Sequence, residues 1–297
     1  MRDYRDFLDP QVLTQVRDLS LRARLIVEGF LVGLHRSPYH GFSVEFKEHR
    51  LYTPGDDIRW IDWRALARTD RFFVKKYEEE TNLKAYLILD ISGSMDYPPS
   101  GLSKFEYARN LAAALAYLFF LQRDATGLLA FNGGVQVYMP PRASKAHLHD
   151  LLTQLAHLEP GGVTRPYRPL RVLAEQIRKK GMIILISDLL TDPEPIIKTL
   201  SYLQKRKHEV LVFHVLSPDE MDLKVAGPVV FKDLETGERI ALNPGMLRRQ
   251  YRKTVQQHMN HLKWAFRNRN IDYELFTTET PYDHALLYYL KRRERLA

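Results

Sequence analysis

The sequence predicts an α/β fold, a doubly wound and mostly parallel sheet with helices on both faces. Two apolar runs, Ala85-Tyr86-Leu87-Ile88-Leu89 and Met182 to Ser187, suit strands buried on both sides. From residue 83 onward strand-like and helix-like segments alternate, which argues crossover connections between parallel strands. The 83–292 portion has the length of one such domain.

Taken in order, residues 9–32 are predicted helical from the apolar positions Leu13, Val16, Leu19, Leu25, Ile26 and Phe30. Pro10 sits near the start, where a missing N–H costs nothing, and Gly33 is the expected stop. Residues 33–70 are irregular and rich in Gly, Pro, His, Arg and Asp, and 71–80 form a closing strand. The strand ending at Asp90 leads into a long helix over 103–122. Strands at 126–131 and 135–139 flank Asn132-Gly133-Gly134, a hairpin signal. Helices follow at 147–158 and 168–179, then the strand ending before Asp188, a helix at 193–205 and a strand at 209–216. A hairpin insertion near 217–242 breaks the rhythm. A helix over 245–269, a strand at 271–276 and a helix at 283–291 complete the chain. The expected division is an N-terminal segment, 1–82, packed on a domain of residues 83–297.

Composition narrows the function classes. The chain has 297 residues, 45% of them apolar, and no cysteine. A disulfide scaffold and thiol chemistry are thereby excluded, and a reducing, cytoplasmic setting is expected. Met1-Arg2-Asp3-Tyr4-Arg5-Asp6 does not open a secretory signal, and Leu111–Leu121 is too short to span a bilayer. The net charge of +8 raises nucleic acid as a partner. The basic residues are scattered over 198–207, 248–269 and 291–295, and no stripe of interleaved aromatics accompanies the 245–269 helix. They read first as solvated helix faces and second as a docking surface for an acidic partner, and no nucleic-acid partner is expected.

Asp90 and Asp188 end the two most apolar strands, and ligands of open α/β sheets gather at such carboxyl ends. Asp90-Ile91-Ser92-Gly93-Ser94 sets one carboxylate and two hydroxyls two residues apart, with Gly93 allowing a tight loop. Hydroxyls with few carboxylates and retained waters suit a hard cation such as Mg²⁺. The duller readings are strand-end caps for the aspartates and helix capping by Ser94.

This pattern resembles the D-x-S-x-S signature of von Willebrand factor A domains and their metal-ion-dependent adhesion site. The resemblance implies a site completed by a threonine, matched here by Thr164, and by an aspartate after a later strand, matched by Asp188. Ser92, Ser94 and Thr164 would supply hydroxyls, with Asp90 and Asp188 binding directly or through water. The family often has Gly-Gly-Thr; here Val163 stands between Gly162 and Thr164.

Upstream, Gly55-Asp56-Asp57-Ile58-Arg59-Trp60-Ile61-Asp62-Trp63, Ala67-Arg68, Tyr77 and Glu80 resemble the bacterial family numbered 58 among the domains of unknown function. That resemblance covers nearly the whole chain. It implies work beside a MoxR-type AAA+ ATPase, as an adaptor in protein remodelling or maturation. Asp56, Asp57, Arg59 and Asp62 form either a second functional patch or an ion-pair network, and Trp60 and Trp63 read as packing anchors.

Three functions are weighed. The first is a Mg²⁺-dependent (or Mn²⁺-dependent) module that grips an acidic residue of a partner protein. The second is a Mg²⁺-dependent phosphohydrolase, which usually needs an acid where Ser92 stands. The third is nucleic-acid binding by the basic 245–269 helix. No Walker loop or nucleophile elbow occurs, so the chain is expected not to be an enzyme. His35, His40 and His49 lack zinc spacing, and His147 and His149 read as surface residues.

Overall fold

The computed structural model describes residues 8–36, 50–51, 73–74, 83–98, 101–163, 167–177, 180–223, 229–242 and 244–294. The chain divides into two units, one of residues 37–82 and one formed by 1–36 with 83–297. In the smaller unit, β1 (Arg50–Leu51) and β2 (Phe73–Val74) pair antiparallel, with Arg50 opposite Val74 and Leu51 opposite Phe73. The family motif, Gly55 to Trp63 with Ala67, Arg68, Tyr77 and Glu80, lies outside the described residues.

The larger unit is built on a six-stranded sheet. Its strands are β3 (Lys84–Asp90), β4 (Ala125–Phe131), β5 (Val135–Arg142), β6 (Met182–Ser187), β7 (Glu209–Leu216) and, past a separate hairpin, β10 (Asp272–Thr277). Their order across the sheet is β10-β7-β6-β3-β4-β5. Five strands run parallel; β5 pairs antiparallel with β4 at the edge. This confirms the doubly wound α/β expectation.

Both faces are covered, which is why the central strands are apolar without alternation. Tyr86 and Ile88, Ile183 and Leu185, and Val210 and Val212 lie on one face. They pack with Leu170, Ile196, Leu200, Leu262 and Phe266 from the helices on that side. Leu87 and Leu89 alternate to the other face and are equally buried.

On that second face, the N-terminal helices join the unit. The predicted single helix over 9–32 is two helices, α1 (Pro10–Leu13) and α2 (Leu19–Arg36). Each has its own aspartate start: Asp9 accepts from Gln11 N–H at 2.8 Å, and Asp18 accepts from Leu21 N–H at 2.7 Å. Between them the guanidinium of Arg22 donates to the Val16 and Thr14 carbonyls, satisfying the break. Gly33 does not stop α2, which runs on to Arg36.

The helix α3 (Lys104–Leu121) starts at Ser103, whose hydroxyl accepts from Glu106 N–H at 3.1 Å. Its alanine-rich body is buried nearly all round, between the sheet and α2. Arg22 donates to Asn110 Oδ1 at 3.3 Å, and Asn110 donates to the Tyr282 hydroxyl at 3.1 Å. Tyr282 opens the last helix and stacks on Tyr107 at 4.8 Å. N-terminus, α3 and C-terminal helix thus share one polar node.

The remaining helices are α4 (Lys145–His157), α5 (Tyr167–Gln176), α6 (Pro193–Lys205), α7 (Pro218–Asp222), α8 (Pro244–Arg267) and α9 (Tyr282–Glu294). Between α7 and α8 the predicted hairpin forms from β8 (Val229–Lys232) and β9 (Arg239–Leu242). His147, read from sequence as a surface residue, is instead buried. As the third residue of α4 it turns inward, and its Nε2 lies 2.8 Å from the Thr126 carbonyl on β4. No helix among the described residues is long and apolar enough to cross a membrane.

Candidate functional site

From β3 the chain moves to β4 on one side and later returns to β6 on the other. The order therefore reverses between β3 and β6, and open α/β sheets place their ligand crevice at such a point, beyond the carboxyl ends of the strands. Asp90 is the last residue of β3, and Asp188 directly follows β6. The sequence placed both at strand ends; the sheet makes those strands neighbours.

The Asp90 carboxylate is fully buried. Its Oδ1 accepts from Ser92 N–H at 3.0 Å, and its Oδ2 accepts from the Ser187 hydroxyl at 2.7 Å. No lysine or arginine among the described residues pairs with it. Burial, and then the charge of Asp188, push its pKa up to about 7. The hydroxyls of Ser92 and Ser94 lie 3.2 Å apart on the next turn. A buried carboxylate short of a cation beside two hydroxyls is a donor set for a hard metal ion, and in these terms the residues fit one. Among the described residues no three His, Cys, Asp or Glu side chains cluster around a metal position. Any ion here would rest on hydroxyls and water more than on carboxylates.

A third loop meets the first two. Gly161 N–H donates to the Ile91 carbonyl at 2.8 Å, and Gly93 N–H donates to the Gly162 carbonyl at 2.9 Å. Asn132 fastens the loop further, donating to the Gly161 carbonyl at 2.8 Å. The Glu159–Val163 stretch is thereby seated beside Ser92 and Ser94. Thr164, the residue the resemblance selects from this loop, lies outside the described residues.

Gly93 matters for a second reason. A Cβ there would lie 2.8 Å from the carbonyl oxygen of Leu234, in the turn between β8 and β9. The hairpin insertion thus packs its turn directly on the Asp90–Ser94 loop, which nothing in the sequence showed.

Sequence reasoning also missed Lys104. It is the first residue of α3, buried to 0% exposure, and its ammonium donates to Asp188 Oδ2 at 2.7 Å. The same ammonium donates to Glu220 Oε1 on α7 at 2.5 Å. Burial alone would lower the lysine pKa, but the two carboxylates outweigh it and raise it. Glu220 in turn accepts from Ser217 N–H at 2.9 Å, closing the start of α7. The only hint in the sequence was a lysine just inside a Ser-capped helix, a position where a basic residue opposes the helix dipole.

His214 backs Asp188 from β7. Its Nε2 lies 2.7 Å from the Asp188 carbonyl and its Nδ1 lies 2.7 Å from the Tyr273 hydroxyl. A carbonyl only accepts, so Nε2 carries the proton and Nδ1 accepts from Tyr273. Burial pulls the ring pKa down to about 4, which keeps it neutral. His40 and His49, weighed as metal ligands, lie outside the described residues, as does the side chain of His35.

These features define an α/β protein with an oxygen-lined crevice at the switch point of its sheet. The chain belongs to the family described as protein of unknown function DUF58, whose model matches residues 48–261. It is 31% identical over 258 residues to "Uncharacterized protein Rv1480" of Mycobacterium tuberculosis, covering 85% of this chain and 80% of that protein. The same figures hold for "Uncharacterized protein Mb1516" of Mycobacterium bovis. Among solved structures, BatB from Bacteroides thetaiotaomicron aligns at TM-score 0.48 and 17% identity, covering 72% of this chain and 99% of that one. The SpRpn10 VWA domain aligns at TM-score 0.41 and 15% identity, covering 69% of this chain and 93% of that one.

Proposed function

We propose that this chain is a non-enzymatic, metal-dependent protein-binding module working in the cytoplasm. Mg²⁺, or Mn²⁺ in its place, would be held by Asp90, Ser92, Ser94 and Thr164, with Asp188 as a further direct or water-mediated ligand. When bound, the ion supplies an electrophilic position at which water can be exchanged for a carboxylate from outside. The residues of the chain do the rest. Ser187 and the Ser92 N–H fix the Asp90 carboxylate, and the Gly161–Gly162 loop fixes the backbone of Ile91 and Gly93 on either side of Ser92.

The observation that carries this reading is the buried Asp90 carboxylate. It lies beside the Ser92 and Ser94 hydroxyls and has no basic partner among the described residues. A phosphohydrolase finds less support, because the crevice offers Ser92 where a second acid would stand. The partner would present a glutamate or aspartate, and the positive net charge of the chain would speed the approach of an acidic surface. A MoxR-type AAA+ ATPase is the first partner to test, on family resemblance, with the chain acting as adaptor in remodelling or maturation.

Titration calorimetry with Mg²⁺ and Mn²⁺ on metal-free protein should give one dominant site, absent when Asp90 and Asp188 are both replaced by alanine. Capture of the ATPase should need the metal, fail in EDTA and weaken in Thr164→Ala with the fold intact. Equal capture in EDTA would overturn the metal-dependent reading and direct attention to the basic face of α8.

A further inference from the structure

Lys104 is a charged group at the crevice for which the proposed function has no use. A lysine with 0% exposure is held there at a cost, because its ammonium must be desolvated. Two carboxylates compensate it, Asp188 from the end of β6 and Glu220 from α7. The charges around it are unevenly shared. Asp188 has the lysine, while Asp90 is met only by hydroxyl and N–H donors. One of the two strand-end carboxylates already holds a cation that belongs to the chain.

We propose that Lys104 is the resident counter-cation of the crevice, occupying Asp188 and setting how tightly an added divalent ion binds. This rests on the proposed metal site. In the resting protein the ammonium competes for Asp188, so an incoming ion finds Asp90 and the hydroxyls available and Asp188 engaged. A fixed positive charge on a ligand of the ion also repels the ion directly, and in a buried setting this is little screened. Affinity is thereby held down, which suits a site whose ion must keep an open position for a partner carboxylate.

Glu220 extends the device. It ties the same ammonium to α7, whose Asp222 pairs with Arg248 of α8 at 2.6 Å, and whose Glu220 carbonyl accepts from the Tyr251 hydroxyl at 2.7 Å. The ammonium that engages Asp188 is thereby also tied, through Glu220 and α7, to α8.

The test is calorimetric titration of the full-length chain, freed of metal, with Mn²⁺ and Mg²⁺. Wild type is compared with Lys104→Met, Lys104→Arg and the double variant Lys104→Gln/Glu220→Gln. The double variant leaves net charge unchanged and removes one half-buried acid along with the lysine, so it stays usable if Lys104→Met fails to fold. Lys104→Met and the double variant should bind Mn²⁺ at least about tenfold more tightly, and Lys104→Arg should stay near wild type. Melting without metal should fall in Lys104→Met and recover on adding Mn²⁺. Equal or weaker binding in folded charge-removed variants, with wild type binding normally, would overturn the role of Lys104 and leave the metal site standing. Binding in the variants but not in wild type would support the role and overturn metal occupancy of the native protein. No binding in any of them would overturn both.

Discussion

The Ser187 hydroxyl donates to Asp90 Oδ2 at 2.7 Å, so the residue before one candidate ligand fixes the carboxylate of the other. The same oxygen accepts from Leu189 N–H at 3.1 Å, tying the turn after β6 into the contact. Ser187 thus links the ends of two adjacent parallel strands at the point where the crevice opens.

Ser187→Ala should therefore be destabilising, because it strips a donor from a buried carboxylate. The expected loss is roughly 1.5–3 kcal/mol when Asp90 is ionised. Denaturant melts at pH 8 and pH 5 check this. Asp90 is protonated on the acid side of about 7, so the loss should be smaller at pH 5. An equal loss at both would show that the serine acts only through Leu189.

Gly93→Ala should disturb the hairpin as well as its own loop. The added methyl would meet the Leu234 carbonyl at 2.8 Å and the Gly162 carbonyl at 3.2 Å. Backbone cannot retreat as a flexible side chain can, so a loss of about 1–3 kcal/mol is expected. Hydrogen exchange should show faster exchange at Gly237 N–H, which normally donates to the Asp233 carbonyl at 2.9 Å. Unchanged exchange would mean that the turn does not depend on this contact.

His214 gives a pH dependence with a definite sign. Its folded pKa of about 4 lies below the ordinary 6.5, so above 6.5 its stabilising effect is fully present. As pH falls from 6.5 toward 4, the unfolded chain takes up a proton that the folded chain refuses, and stability is lost. The ceiling is roughly 3 kcal/mol. Asp90, raised to about 7, acts in the opposite sense over the same range in metal-free protein. The measurement is therefore the stability difference between wild type and His214→Gln. It should shrink as pH drops from 6.5 to 4, and a constant difference would contradict the assignment.

Ile26→Ala tests whether α2 belongs to the core of the larger unit. Ile26 is 0% exposed on the helix that packs against α3. Its truncation should cost about 2–5 kcal/mol and lower a single cooperative transition of that unit. A loss under about 0.5 kcal/mol would show that the helix lies loosely.

The sequence by itself determined the elements. A buried parallel strand must be apolar on both faces, so β3 and β6 stood out as unbroken runs, and the aspartates at their ends followed by position alone. The two-residue spacing of Asp90, Ser92 and Ser94 is likewise local, as is the β8–β9 hairpin. The N-terminal helix was misjudged, since an apolar stripe continues in register across residues 14–18 while the two aspartate starts break the backbone.

Tertiary structure decided what meets at the crevice. That β3 and β6 are neighbours is set by strand order, which no local pattern encodes. Lys104 reaches Asp188 across 84 residues of sequence and Glu220 across 116, and the two pairings require the start of α3 to be packed at the end of β6 and beside α7. The contact of Leu234 with Gly93 is of the same kind. Charge compensation and close backbone approach depend on distance in space, and a linear reading supplies only the residues that could take part.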